Sequence, residues 1–139
     1  MENQIKRHEV MDLLIEACPS YKQRWKEYVQ GNYEGGEEYL LYCDLADFAN
    51  YLVDLYRQKK IDEYPKLFEV IELLHTNGDD DVKEAVTIGL LEDIQTISLN
   101  NNINPNVFKN CLKQESLKWW NSLDDFWNGK TNYVGGPKK

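Results

Sequence analysis

Apolar residues recur at spacings of three and four along most of this chain, and sustained period-two alternation is nearly absent, so the pattern predicts helices rather than strands. The first helix is expected from about Gln4 to Ala17, with Ile5, Val10, Leu13, Leu14 and Ala17 inward, stopping before Pro19. Ser20 then serves as the expected N-cap of a second helix carrying Tyr21, Trp25, Tyr28 and Val29, and the stretch "GNYEGG" from Gly31 to Gly36 reads as a connection. A third helix, roughly Glu37 to Gln58, gathers Leu41, Leu45, Phe48, Leu52, Leu55 and Tyr56 on one arc of about 100°. The fourth starts at Asp62 as cap with Pro65 in its first turn, buries Leu67, Phe68, Ile71 and Leu74, and ends at Asn77-Gly78. The fifth spans about Asp80 to Ser98 with Val82, Ala85, Val86, Gly89, Leu90 and Ile94 inward, and breaks in "NNNIN". Asn104-Pro105 opens a sixth, and a seventh, about Glu115 to Trp127, offers Leu117, Trp120, Leu123, Phe126 and Trp127 to the core.

These elements predict an all-α fold of about seven helices in an antiparallel, HEAT-like array or bundle. Residues 1–129 form the expected single helical domain and residues 130–139, "TNYVGGPKK" after Lys130, a flexible C-terminal tail. A chain of 139 residues is long enough to bury a core without staples. Its three cysteines, Cys18, Cys43 and Cys111, are widely spaced and fall among apolar helical positions, so they are expected to pack as small hydrophobes. The charged start "MENQIKRHEV" and the absence of an apolar run near ~18 residues predict a cytoplasmic protein without a membrane span.

Charge alters the picture through its placement. The formal net charge is −8, and residues 34–93 hold sixteen acids against five bases, whereas residues 94–139 hold three against six. An acidic middle disfavours nucleic acid and anionic membrane and suits a basic protein partner, or simply solvation.

The triplet Asp79, Asp80, Asp81 invites a metal reading. Calcium loops space their oxygen ligands at alternate positions, and three consecutive side chains do not converge on one ion. Carboxylates at a helix N-terminus instead cap free N–H groups and interact with the dipole by ~0.3 to 1 kcal/mol each. The triplet is therefore expected to start a helix, with Asp81 as the cap and Asp79 and Asp80 facing solvent. His75 lies in the last turn of the preceding helix, where a partly cationic imidazole suits the negative end. With His8 the only other histidine, neither zinc catalysis nor a histidine-based triad is indicated, and no catalytic residues, metal ligands or cofactors are expected.

One enzyme pattern remains as an alternative. All-helical nucleotide pyrophosphohydrolases hold magnesium with paired acids one turn apart on two helices; Glu69 and Glu72 have that spacing, but Glu92 and Asp93 are adjacent. Two further features suggest interaction. Asp44, Asp47, Tyr51 and Asp54 fall within about 80° opposite the apolar arc of the third helix, and aspartate is a mediocre helix former. Trp119 and Trp120 point about 100° apart, so one of Trp119, Trp120 and Trp127 could mark an interface rather than the core.

The segment "LLHTNGDDDVKEAVTIGLLEDI" resembles a HEAT-type hairpin, in which Val82 and Ala85 let two helices close. The succession "LLIEACPSYKQRWKEY", "YLLYCDLADFANYL", that hairpin and "ESLKWWNSLDDFW" resembles a family of small bacterial proteins without assigned activity over about Val10 to Gly129. Such proteins are similar in type to immunity proteins of bacterial toxin systems. The resemblance implies a non-enzymatic, toxin-binding protein; the polar face of the third helix and the aspartate turn give its expected partner contacts as Asp44, Asp47, Tyr51, Asp54, Asp79 and Asp80. An adaptor or self-assembling helical protein is the third possibility.

Overall fold

The computed structural model describes residues 4–32 and 40–127, and the "GNYEGG" connection beyond Asn32 and the expected tail lie outside them. Within the described residues the chain is helical: α1 (Val10–Ala17), α2 (Lys22–Asn32), α3 (Leu41–Arg57), α4 (Tyr64–Asn77), α5 (Asp80–Glu84), a π-helical turn pair (Ala85–Leu91), α6 (Glu92–Asn100), α7 (Asn106–Lys109) and α8 (Gln114–Trp127). Short 3-10 turns at Arg7–Glu9 and Pro19–Tyr21 lead into α1 and α2. The all-α expectation holds.

Packing follows the apolar arcs. Leu41, Leu45, Phe48, Leu52 and Leu55 of α3 are buried, and so are Leu67, Phe68, Ile71 and Leu74 of α4. α5, the π turns and α6 run on as one rod, because Ala85 and Glu92 at the junctions keep right-handed helical angles. This rod packs mainly against α3, while α1 and α8 flank α4. The hairpin therefore forms at its turn, but its second helix leans on α3 more than on α4. The approach is close at Gly89, where a Cβ would stand 3.1 Å from both Leu45 Cδ1 and Tyr42 Cδ1. With neighbours on several sides, the rod also buries Thr87 and Leu91, two positions outside its expected inward set.

Several boundaries differ from the sequence expectation for physical reasons. Residues 4–6 are not helical: Ile5 pairs with the α4–α5 turn, its N–H donating to Asn77 O at 2.9 Å and its carbonyl accepting from Asp79 N–H at 3.1 Å. Ser20 does not cap α2, since its side-chain hydroxyl and backbone N–H both donate to Glu63. Glu63 rather than Asp62 precedes α4, with Pro65 in the first turn as expected. Cys18 packs in the core, but Cys43 is exposed.

The aspartate triplet begins a helix, through a different member. Asp79 has extended angles and its Oδ1 accepts from Val82 N–H at 2.9 Å, so Asp79 is the cap and Asp81 is not. Asp81 instead pairs with Arg7 at 3.1 Å, and Asp79 lies 3.6 Å from Lys6, so the N-terminal segment is fastened to this turn by backbone and charge together. Gly78 is required for room: its φ of −68° suits any residue, but a Cβ would press on the Leu74 carbonyl and stand 2.5 Å from Val82 Cγ1.

Gly78→Ala should lower the unfolding free energy by about 1 to 3 kcal/mol in urea titration, because backbone must shift. Gly31→Ala, where nothing lies within 4 Å, should leave it unchanged or raise it by up to about 1 kcal/mol. Asp79→Ala should cost about 1 kcal/mol and Asp79→Asn much less, since asparagine caps equally well.

Candidate functional site

Three places collect polar chemistry. The first lies where α2 meets α3. Asp47 accepts from Tyr21 Oη at 2.6 Å, from Arg24 Nη2 at 3.0 Å and from Arg24 Nε at 3.3 Å. The Arg24 guanidinium also sits 5.6 Å from the Tyr51 ring centroid. Tyr51 in turn donates to Ser20 Oγ at 2.7 Å, which continues the network to Glu63. The aromatic rings of Trp25, Phe48 and Tyr51 surround Tyr21. Burial and the Asp47 carboxylate push the Tyr21 phenol far above its ordinary range, so it remains a donor. Hydrogen bonding to Asp47 likewise holds Arg24 charged.

The expected acidic face of α3 is thus only partly a face. Asp44 is 1% exposed and belongs to the interior, a correction that follows from neighbours covering α3 beyond its apolar arc. Asp47, Tyr51 and Asp54 do come together around Arg24, which feels the Asp54 charge as well. Asp47 is only 20% exposed, whereas Asp54 is 45% exposed beside Arg57 at 3.5 Å. A weak exposed pair of this kind contributes only ~0.3 to 0.5 kcal/mol and is easily exchanged. Asp80 is exposed at the α4–α5 turn, and Asp79 is half-buried there as the cap.

The second place joins α4, the π turns and α8. His75 Nδ1 lies 2.8 Å from Ser116 Oγ and Nε2 lies 3.2 Å from Thr87 Oγ1, while Trp119 stacks on the ring at a centroid distance of 5.8 Å. One turn earlier, Glu72 accepts the first-turn N–H groups of α8, from Ser116 and Glu115, both at 2.9 Å. Burial alone would raise the Glu72 carboxyl, but those two N–H groups, with the Ser116 side chain and His75, together hold it below its ordinary range. Burial depresses His75 to about 4 against an opposing pull from Glu72, so the expected partly cationic imidazole is neutral. A serine and a histidine at this distance match a nucleophile and its base, yet Ser116 is 0% and His75 2% exposed. Neither side chain reaches the surface in this arrangement.

The third place is the start of α6, where Glu92 and Asp93 are half-buried. Burial raises both carboxyls, and the neighbouring Glu92 charge adds to the effect on Asp93, which reaches about 6. Among the described residues no group of three or more histidine, cysteine, aspartate or glutamate side chains is arranged to hold a metal ion. Glu72, needed for a magnesium site with Glu69, is committed to the start of α8. No helix among the described residues is long and apolar enough to cross a membrane.

Trp120 is 1% exposed and anchors the core, Trp119 is half-buried over His75, and the side chain of Trp127 lies outside the described atoms. The Glu72–His75–Ser116 assembly was not evident from the sequence, although an acid and a histidine three apart on an otherwise apolar helix end are its trace. A family model described as a domain of unknown function (DUF7674) matches residues 11–128. No curated protein and no solved structure matches the chain.

The histidine makes stability depend on pH with a definite sign. Its folded value lies below the unfolded value near 6.5, so the unfolded chain binds more protons between those values. Stability should therefore fall as the pH drops from about 6.5 to about 4, by up to about 3 kcal/mol from this group. Urea midpoints measured at both ends should move less in His75→Gln than in the wild type; equal movement would exclude the assignment.

Proposed function

Because the chain belongs to the family described as a domain of unknown function (DUF7674), whose description names no activity, we propose its function from the distribution of its groups between interior and surface. The reading is a non-enzymatic protein-binding module, an immunity protein of a bacterial toxin system that neutralises its toxin by covering a basic active site. The observation that carries it is the contrast in exposure. The acids that would meet a partner, Asp54 and Asp80, reach solvent, as does Asp81 at 50%. The groups that resemble catalytic machinery, Ser116 and His75, do not.

Within this reading Asp54 and Asp80 are the chief electrostatic contacts, Tyr51 adds an aromatic edge, and Asp47 and Asp79 contribute field from fixed positions. Asp44 has no part in it. Opposite charge steers encounter and acts chiefly on the association rate, which salt screens. The hydrolase alternative has less support, since Glu72 is taken up by backbone N–H groups and Glu92 and Asp93 are adjacent rather than one turn apart.

The test is to express the product of the adjacent reading frame alone and together with this chain. Growth arrest by the first, relieved on co-expression with a one-to-one complex in light scattering, supports the reading. Absence of arrest, or relief without a complex, overturns it. The association rate should drop on the order of tenfold or more as salt rises from about 0.05 to 0.5 M. Asp54→Lys with Asp80→Lys should slow association at low salt and leave thermal stability nearly unchanged, as expected for surface substitutions.

A further inference from the structure

A groove of about 370 Å³ opens between α6, the start of α7 and α8. Its apolar walls are Leu99, which is 64% exposed, Pro105 and the edge of Trp120. Its polar end is Asp124, whose Oδ1 accepts from Gln95 Nε2 at 3.2 Å; Gln95 itself is 8% exposed and therefore fixed in place. We propose that this groove receives an arginine side chain of a partner polypeptide, the guanidinium meeting the Asp124 carboxylate and the stem lying along Leu99 and Pro105.

The inference rests on the protein-binding reading above and names where a basic partner engages. Four observations converge on one occupant. The volume lies at the low end of ligand pockets, suited to one long side chain rather than a large cofactor. A leucine left mostly in water beside a proline and a tryptophan edge is an apolar surface that gains by being covered. The carboxylate at its end has one oxygen satisfied by a side-chain amide and keeps lone pairs for further donors. Burial raises the Asp124 carboxyl, with Asp125 adding to the effect and Lys109 and the Gln95 bond only partly offsetting it, so the carboxylate sits in a partly desolvated place that suits a weakly hydrated cation better than a strongly hydrated one.

Arginine fits these terms better than lysine. Its guanidinium is planar and weakly hydrated, presents paired donors to a carboxylate, and tolerates apolar flanks, whereas an ammonium is compact and strongly hydrated. Its stem can cover the leucine while the charged head reaches the acid. By contrast, Asp47 already holds Arg24, so a partner arginine would have to displace an existing pair there.

The probe is the capped tripeptide acetyl-Ala-Arg-Ala-amide, titrated into the full chain labelled with nitrogen-15, beside its citrulline counterpart. The expected result is saturable shifts at the Gln95 side-chain amide and the Trp120 indole N–H with the arginine peptide and not with citrulline. Asp124→Asn and, separately, Leu99→Ser should each weaken the binding, the first by about tenfold or more. Equal responses to both peptides, or an unaltered response in Asp124→Asn, overturn the proposal. Absence of shifts with nuclear Overhauser contacts from the Trp120 ring to residues 130–139 in the free protein would put the chain's own C-terminal segment in the groove, which also overturns it. A toxin that binds one to one while leaving Gln95 and Trp120 unperturbed would remove the groove assignment and leave the immunity reading standing.

Discussion

A half-buried carboxylate loses part of its water and needs donors in its place, and Glu72 finds them in the backbone of another helix. Two of the N–H groups that α8 cannot satisfy internally end on the two oxygens of Glu72, so the start of α8 is capped in part by α4. This sets both the position and the register of α8. Ser116 then falls against His75, Trp119 covers the imidazole, and Trp120 and Leu123 turn inward. Asp124 is eight residues further on, roughly 12 Å along the axis, and reaches Gln95 only because the register is fixed at the other end.

The neutral histidine completes the same constraint. An imidazole buried among α4, the π turns and α8 would be costly if either nitrogen lacked a partner, and two hydroxyls, from Ser116 and Thr87, supply one each. Among the described residues no buried side-chain nitrogen or oxygen is left without a hydrogen bond. Thr87 can reach the ring because it lies in the π-helical Ala85–Leu91, whose wider turns alter the angular phase of the rod; such segments often appear where a helix accommodates a packing or functional demand. Close approach at Gly89 against α3 is a second demand on the same seven residues. The hydrogen bonds that satisfy the groups resembling hydrolytic machinery are thus also ones that packing requires.

Helix positions were legible in the sequence wherever one apolar stripe faced one neighbour. Leu67, Phe68, Ile71 and Leu74 of α4 and Leu45, Phe48 and Leu52 of α3 are inward because periodicity of 3.6 residues is itself the record of a buried stripe. Legibility failed where a residue answers to a distant one. Ile5 leaves the helical pattern to pair with Asn77 and Asp79, Ser20 gives up a capping role for Glu63, and Asp44 lies opposite the stripe yet is covered. The choice of Asp79 over Asp81 as cap is of the same kind, since Arg7 and Lys6 arrive from over seventy residues away to engage the triplet. The groove was illegible for a related reason: Gln95, Leu99, Pro105 and Asp124 belong to three elements, and no local spacing unites them.

The same distinction bears on which acids can act outwardly. A carboxylate serving as a helix cap or holding an arginine through two hydrogen bonds already has a strong electrostatic partner, and exchanging that partner costs the interaction it replaces. Asp79, Asp47 and Glu72 are committed in this way to different degrees. Among the described residues Asp54 hydrogen-bonds an exposed arginine at 3.5 Å, and Asp124 has an amide, which leaves its charge uncompensated by that bond. Net charge alone therefore overstates the acidity a partner would meet. The relevant quantity is the set of carboxylates whose existing bonds are weaker than those a partner could supply, and by that measure the rim formed by α6 and α8 competes with the surface of α3.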